Sequence, residues 1–251
     1  MNLDKIAFAY PCRPWRLIKI DAGLVDEHYY QLFGQWHRGV DINGIYGGDS
    51  DLGLPVQSMF PGSVVATDNV RGWGHTVLVR SEAWVRDYVE EQLDVDLPVL
   101  DVQYTHLHQV TVEEGDYINS GDHVGSIGKG DRGQYPAHLH MEVRRLPLPA
   151  TVQQGSSNAD RDTVLEQCLD PERLFAVLPF ANYTAVMGQG RQVAPVDRMI
   201  HNGAVVEGSR QIVMNRQGRM MHFYDQRPPA PTPATFFEAL RYAVRLWQDR
   251  T

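Results

Sequence analysis

Short runs rich in β-branched and aromatic residues, each closed by a glycine-containing turn, succeed one another from Gly34 to Val143. No other feature limits the fold as much. Ser63-Val64-Val65-Ala66-Thr67, Thr76-Val77-Leu78-Val79-Arg80 and Val102-Gln103-Tyr104-Thr105-His106 are strand-like, and the turns fall where a sheet needs them: Pro61-Gly62, Arg71-Gly72-Trp73-Gly74, Glu114-Gly115-Asp116, Ser120-Gly121-Asp122 and Gly128-Lys129-Gly130. A compact sheet or barrel is expected, not a helical bundle. Glu82 to Leu93 has helical spacing of Trp84, Tyr88, Val89 and Leu93 and reads as an insertion between two strands.

Beyond Val143 the texture changes to Leu146-Pro147-Leu148-Pro149 and a polar loop through Gln153 to Asn158. Thr163 to Leu169 is expected to be helical, and Asp170-Pro171-Glu172 restarts a helix with Asp170 as N-cap and proline in the first turn. Gly203 to Tyr224 returns to short β-like runs, followed by a stiff Pro228 to Pro233 connector. Thr235 and Glu238 form a capping-box pattern ahead of an apolar face of Phe236, Leu240, Ala243, Val244 and Trp247, so the chain should close with an amphipathic helix. The expected organisation is an N-terminal segment (1–33), a main β domain (34–178, with an insertion at about 82–101) and a C-terminal extension (179–251).

Two histidine signatures carry the chemistry: His37-Arg38-Gly39-Val40-Asp41 and His138-Leu139-His140. His37, Asp41 and His140 together can fill most of a tetrahedral zinc shell and leave a position open. In a straight strand His37 and Asp41 would lie about 13 Å apart at about 3.3 Å per residue, so convergence needs a bend at Arg38-Gly39, which glycine permits. In a strand, His138, His140 and Glu142 share a face, with Glu142 either orienting an imidazole or lying in solvent. A second His-Leu-His, His106-Leu107-His108, competes for the same role, and strand alternation puts Tyr104, His106 and His108 on one face. Spacing alone does not choose between the two. The remaining histidines, His28, His75, His123, His201 and His222, are expected to be structural, as is His108.

Composition excludes several classes. Net charge is −8 with no compact basic stretch, which argues against a nucleic-acid partner. No apolar run approaches the roughly 18 residues of a membrane span, and Met1 to Ala9 does not read as a secretory signal. Cys12 and Cys168 are the only cysteines, too few for a disulfide framework and without the spacing of a thiolate zinc site.

Taken in order, these motifs resemble the lysostaphin and LytM-type zinc endopeptidases, which cut peptide bonds in bacterial peptidoglycan. The resemblance covers His37 to Ile42, Gly53-Leu54-Pro55-Val56, Pro61 to Val65, Gly74 to Val79, Tyr104-Thr105-His106-Leu107, Gly115 to Gly128 and His138 to Val143. It implies an antiparallel β fold with an open groove, His37, Asp41 and His140 as zinc ligands, and His106 and His138 as the catalytic pair. The implied chemistry is hydrolysis by a zinc-activated water, one histidine serving as general base and the other steadying the oxyanion. Two features depart from the family: Glu82 to Asp101 is long enough to narrow or cap the groove, and Ala181 to Thr251 matches none of the family's wall-binding modules.

The leading expectation is a zinc endopeptidase acting on peptidoglycan peptides, with the C-terminal extension meeting a delivery or regulatory protein; location is left open, a peptidoglycan substrate implying manufacture in the cytoplasm and action at the cell wall or periplasm. Two other readings are a non-catalytic binding or activator module of the same fold and a peptidase of that fold acting on a different peptide. The first of these typically lacks ligands that are present here.

Overall fold

The computed structural model describes residues 8–12, 18–147 and 159–178, together with the backbone of four short strands between residues 198 and 221. In chain order the elements are β1 (Ile18–Ala22), α1 (Glu27–Phe33), β2 (Val40–Gly44), β3 (Pro55–Gln57), β4 (Gly62–Val70), β5 (Gly74–Ser81), α2 (Ala83–Leu93), β6 (Asp101–Val110), β7 (Tyr117–Ile118), β8 (His123–Ile127), β9 (Leu139–Arg144), α3 (Arg161–Gln167), β10 (Cys168–Leu169), α4 (Pro171–Val177), β11 (Arg198–His201), β12 (Ala204–Glu207), β13 (Val213–Met214) and β14 (Met220–Met221). The fold is mainly β, as expected. Twelve strands form one open sheet whose main path runs β12-β11-β1-β2-β9-β6-β5-β4-β7, with β8 bridging β6 and β3 and with β10 on β9. Every pairing in it is antiparallel except β1 with β11.

Register sorts the central strands into an apolar and a polar face. Val40 lies opposite Met141, and Met141 opposite Tyr104, while Asp41 lies opposite His140, and His140 opposite Thr105. The first set points into the main core and the second into a layer of buried polar side chains that includes Gln103, Glu142 and Arg144. Burying such groups is costly unless they are paired, so this face must be satisfied by its own network. Lys19 and Asp21 on β1 illustrate this, forming a fully enclosed ion pair of 2.5 Å.

The insertion folds as the expected helix, but it does not cap the groove. Its apolar stripe finds a better partner on the other face: Val85 and Val89 enter the core, Trp84 and Tyr88 flank Phe8 at ring distances of 6.0 and 6.3 Å, and the Tyr88 hydroxyl donates to the Val177 carbonyl. α4 follows its sequence signal, whereas the helix expected over Thr163 to Leu169 runs instead from Arg161 to Gln167, because Cys168 and Leu169 leave it to pair with β9 as β10. Asp160 and Asp170 accept hydrogen bonds from the Thr163 and Glu172 amides, and Pro171 occupies the first turn of α4. Cys12 and Cys168 are free and buried. Among the described residues no helix is long and apolar enough to cross a membrane. The expected C-terminal amphipathic helix and the proline-rich connector lie outside the described residues.

Candidate metal centre

His37 precedes β2, and the chain bends at Gly39 before Asp41 enters the strand. A side chain at Gly39 is impossible here, because a Cβ would stand 2.1 Å from the Met141 carbonyl oxygen. The glycine lets the His37 segment press against β9. His37 Nε2 therefore comes within 3.1 Å of Asp41 Oδ1 and 3.0 Å of His140 Nδ1, and His140 Nδ1 lies 2.9 Å from Asp41 Oδ1.

The outer nitrogens fix how these rings present themselves. His37 Nδ1 donates to the Gly23 carbonyl at 2.8 Å, which leaves Nε2 as a lone pair in the neutral ring. His140 Nε2 faces Glu142 Oε1 at 3.3 Å, leaving Nδ1 as its lone pair. Two imidazole lone pairs and a carboxylate thus converge in a nearly equilateral triangle, all three residues being buried. With both rings neutral and no cation between them that arrangement is repulsive; in the absence of a metal a proton on His140 relieves it. The edges are close to the roughly 3.3 Å expected between ligands of tetrahedral zinc at bonds of about 2.0–2.1 Å, so the donor set fits that ion. Burial opposes ionisation of Asp41, but His37 and His140 outweigh it and hold the carboxyl well below its usual range. At His140 burial is likewise overcome, by Asp41 and Glu142, and its pKa rises to about 9 in the metal-free protein.

His106 and His138 stand beside the triangle, their ring centroids 4.6 Å apart. His138 enters just before β9. Its amide donates to the Gly128 carbonyl, its Nδ1 donates to the Pro136 carbonyl at 2.8 Å, and its Nε2 lies 3.8 Å from Asp41 Oδ1. His106 reaches the site through a bulge in β6, where its φ of +63° places it in the left-handed region. The bulge corrects the expectation that Tyr104, His106 and His108 share a face. Tyr104 turns into the core, where its hydroxyl accepts from the Met59 amide, His106 turns to the site and His108 to solvent. His106 Nδ1 donates to the Trp73 carbonyl at 2.7 Å. Burial, reinforced at His106 by His138 and His140, pushes both imidazoles below their ordinary range.

An aromatic collar, absent from the sequence reading, surrounds the centre. Tyr29 of α1 stacks on His37 at 4.5 Å, Trp73 meets His140 edge-on at 5.4 Å, and Tyr135 lies 4.8 Å from His106. α1 itself left a signal in the sequence: Asp26 caps it by accepting from the Tyr29 amide, and Gly34 ends it at φ +69°. Trp73 arrives on the β4–β5 turn, which approaches the loop before His138 so closely that a Cβ on Gly74 would lie 2.9 Å from the Gly130 carbonyl carbon. Asp49 braces that loop from the other side, accepting from Lys129 Nζ at 2.7 Å and from the Ala137 amide at 3.1 Å.

The model of peptidase family M23 matches residues 35–157. No curated protein matches the chain. Among solved structures, that of the SpoIIQ-SpoIIIAH pore forming complex is 16% identical, with a TM-score of 0.45 over 73% of this chain and 99% of that one. A zinc containing peptidase from Vibrio cholerae is 22% identical, with a TM-score of 0.41 over 59% of this chain and 40% of that one. The catalytic domain of the antimicrobial peptidase lysostaphin from Staphylococcus simulans is 20% identical, with a TM-score of 0.36 over 55% of this chain and 78% of that one.

Proposed function

Residues 35–157 belong to peptidase family M23, and on that premise we propose that this protein is a zinc-dependent endopeptidase hydrolysing peptide bonds in peptidoglycan cross-links or stem peptides. The observation that carries the reading is the convergence of His37 Nε2, Asp41 Oδ1 and His140 Nδ1, each within 3.1 Å of the other two. Zinc held by these three residues would supply Lewis-acid polarisation and a nucleophile of low pKa at neutral pH. The substrate class rests on the motif resemblance from His37 to Val143.

The chain's own residues supply the proton handling. His106 and His138 both commit Nδ1–H to a backbone carbonyl, so each offers Nε2 to chemistry at the site. One takes the proton of the attacking water through an unprotonated Nε2 and returns it to the leaving amine. The other steadies the developing oxyanion when its Nε2 carries a proton. The collar of Tyr29, Trp73 and Tyr135 excludes bulk water and holds the rings in place, which strengthens every charge interaction inside.

Digestion of purified sacculi, with mass spectrometry of the released muropeptides, tests the proposal. Wild type should release soluble peptides, and His138→Ala should bind zinc and release none. Zinc should be lost in His37→Ala and Asp41→Ala. A zinc-loaded wild type that releases nothing would remove the peptidoglycan reading, and stoichiometric zinc in both ligand variants would remove the metal assignment.

A further inference from the structure

Behind His140 lies a closed set of charged groups that the hydrolytic chemistry does not use. Glu142 Oε1 faces His140 Nε2 at 3.3 Å, while its other oxygen sits 3.8 Å from the Nε atoms of both Arg38 and Arg144. Glu142 is 1% exposed, Arg38 6% and Arg144 2%, so two guanidinium groups and one carboxylate share an interior with no bulk water. Each arginine is anchored at its far end. Arg144 donates to Gln103 Oε1, whose amide donates to Thr105 Oγ1 at 3.0 Å, and Arg38 Nη2 donates to Gln167 Oε1 at 2.9 Å.

Gln167 is the last residue of α3, ten positions beyond the end of the M23 match at residue 157. It is held there by the backbone. The Arg145 amide donates to the Gln167 carbonyl, and the next residues, Cys168 and Leu169, pair with Arg144 and Val143 of β9. A line of contacts therefore runs from α3 through Arg38 and Glu142 to His140.

We infer that Glu142 is a positioning residue of the metal centre: clamped by Arg38 and Arg144, with Arg38 tied in turn to Gln167, it takes the Nε2–H of His140 and so presents Nδ1 to the ion. The inference rests on the metal reading of His37, Asp41 and His140. A histidine bound through Nδ1 is reversed relative to His37, which binds through Nε2, and only a fixed acceptor behind the ring selects that tautomer. The arginines, each with Nε 3.8 Å from Glu142 Oε2, hold that second oxygen away from the ligand triangle. Arg38 adjoins His37 in sequence, so the same clamp steadies the backbone of a second ligand.

A role in charge balance alone predicts different variants to fail, and this makes the inference testable. Zinc affinity, measured by competition with a chromophoric chelator, should fall by about 10–100-fold in Glu142→Leu, which has no acceptor. Glu142→Gln keeps an acceptor oxygen and should stay within a few-fold of wild type, roughly within the scatter of a single contact. Gln167→Ala should weaken zinc in the same direction by a smaller factor, and Gln167→Glu, which still accepts from Arg38, should restore it. Because Gln167 is only half-buried at the end of a helix, its variants read the clamp without threatening the core. In the 15N spectrum of zinc-loaded wild type the proton of His140 should lie on Nε2 and that of His37 on Nδ1. Equal losses in Glu142→Gln and Glu142→Leu would show charge balance instead and overturn the inference, as would a His140 protonated at Nδ1. Affinity is read apart from hydrolysis. A wild type that binds zinc and cuts no sacculi removes the hydrolytic reading, whereas unchanged affinity in Glu142→Leu removes this one.

Discussion

At His106 the backbone takes a φ of +63°, a conformation that costs a branched or bulky residue energy and that only glycine adopts freely. The usual order of substitutions should therefore invert. His106→Gly should be at least as stable in urea as His106→Ala, although glycine in a strand is normally the worse choice, and both should lose at least about 100-fold in kcat/KM. A stable His106→Ala and a destabilised His106→Gly would show that the bulge is not strained. Asp51 offers a second test. Burial, the dominant cause, lifts its carboxyl to about 7 against the opposing pull of the Asp51 and Gly44 backbone amides. The folded state then binds a proton that the unfolded state has released, so the contribution of Asp51 is full below about pH 4 and is lost as pH rises toward about 7. Unfolding midpoints of wild type should fall relative to Asp51→Asn across that window, and parallel curves would refute the shift. In the sequence His37, Asp41 and His140 stand out as a possible donor set, whereas His106 and His138 are picked out as a pair only by the motif resemblance, because spacing does not separate the two His-Leu-His runs. The sequence does not show Tyr29, Trp73 or Tyr135, since an aromatic residue that packs on an imidazole looks like any core aromatic until the chain is folded.

Elements were legible wherever local chemistry decides them. Asp170-Pro171 starts a helix because the carboxylate satisfies an amide and the proline ring matches the first turn, and α4 begins there. α2 was legible as a helix, but its location was not. The placement depended on Phe8, some 76 positions upstream of Trp84, which supplies the surface that draws it to the apolar face. Strand alternation likewise failed at one point in β6, because a bulge adds a residue without marking the sequence. The strength of the helical packing is measurable. Leu174 of α4 is fully buried in the main core, and Leu174→Ala should cost about 2–5 kcal/mol of stability in urea unfolding. Zinc affinity should not change, because α4 packs on the face away from the ligands. A coupled loss of zinc would mean that the two faces of the sheet are not independent.

The two faces give the molecule an uneven source of stability. One is an ordinary apolar core, whereas the other is a layer of Lys19, Asp21, Asp41, Gln103, Glu142 and Arg144 whose burial is tolerated only while each group keeps its partners. A ligand that binds the folded state alone stabilises it by mass action, and the ligand triangle has no counterpart in the unfolded chain. Chelation of zinc should therefore lower Tm, and the drop should vanish in His37→Ala. A Tm indifferent to chelators in wild type would mean that the three donors hold no tightly bound ion. The polar layer also bears on where the protein is divided for expression. A fragment cut at the limits of the M23 match would end at residue 157, before β10, leaving the Arg144 end of β9 open on one edge and Arg38 without Gln167. The smallest piece worth producing runs through Leu178, and it should begin no later than Phe8, which packs on α2, so that it also keeps β1 over the open edge of the strand that carries Asp41.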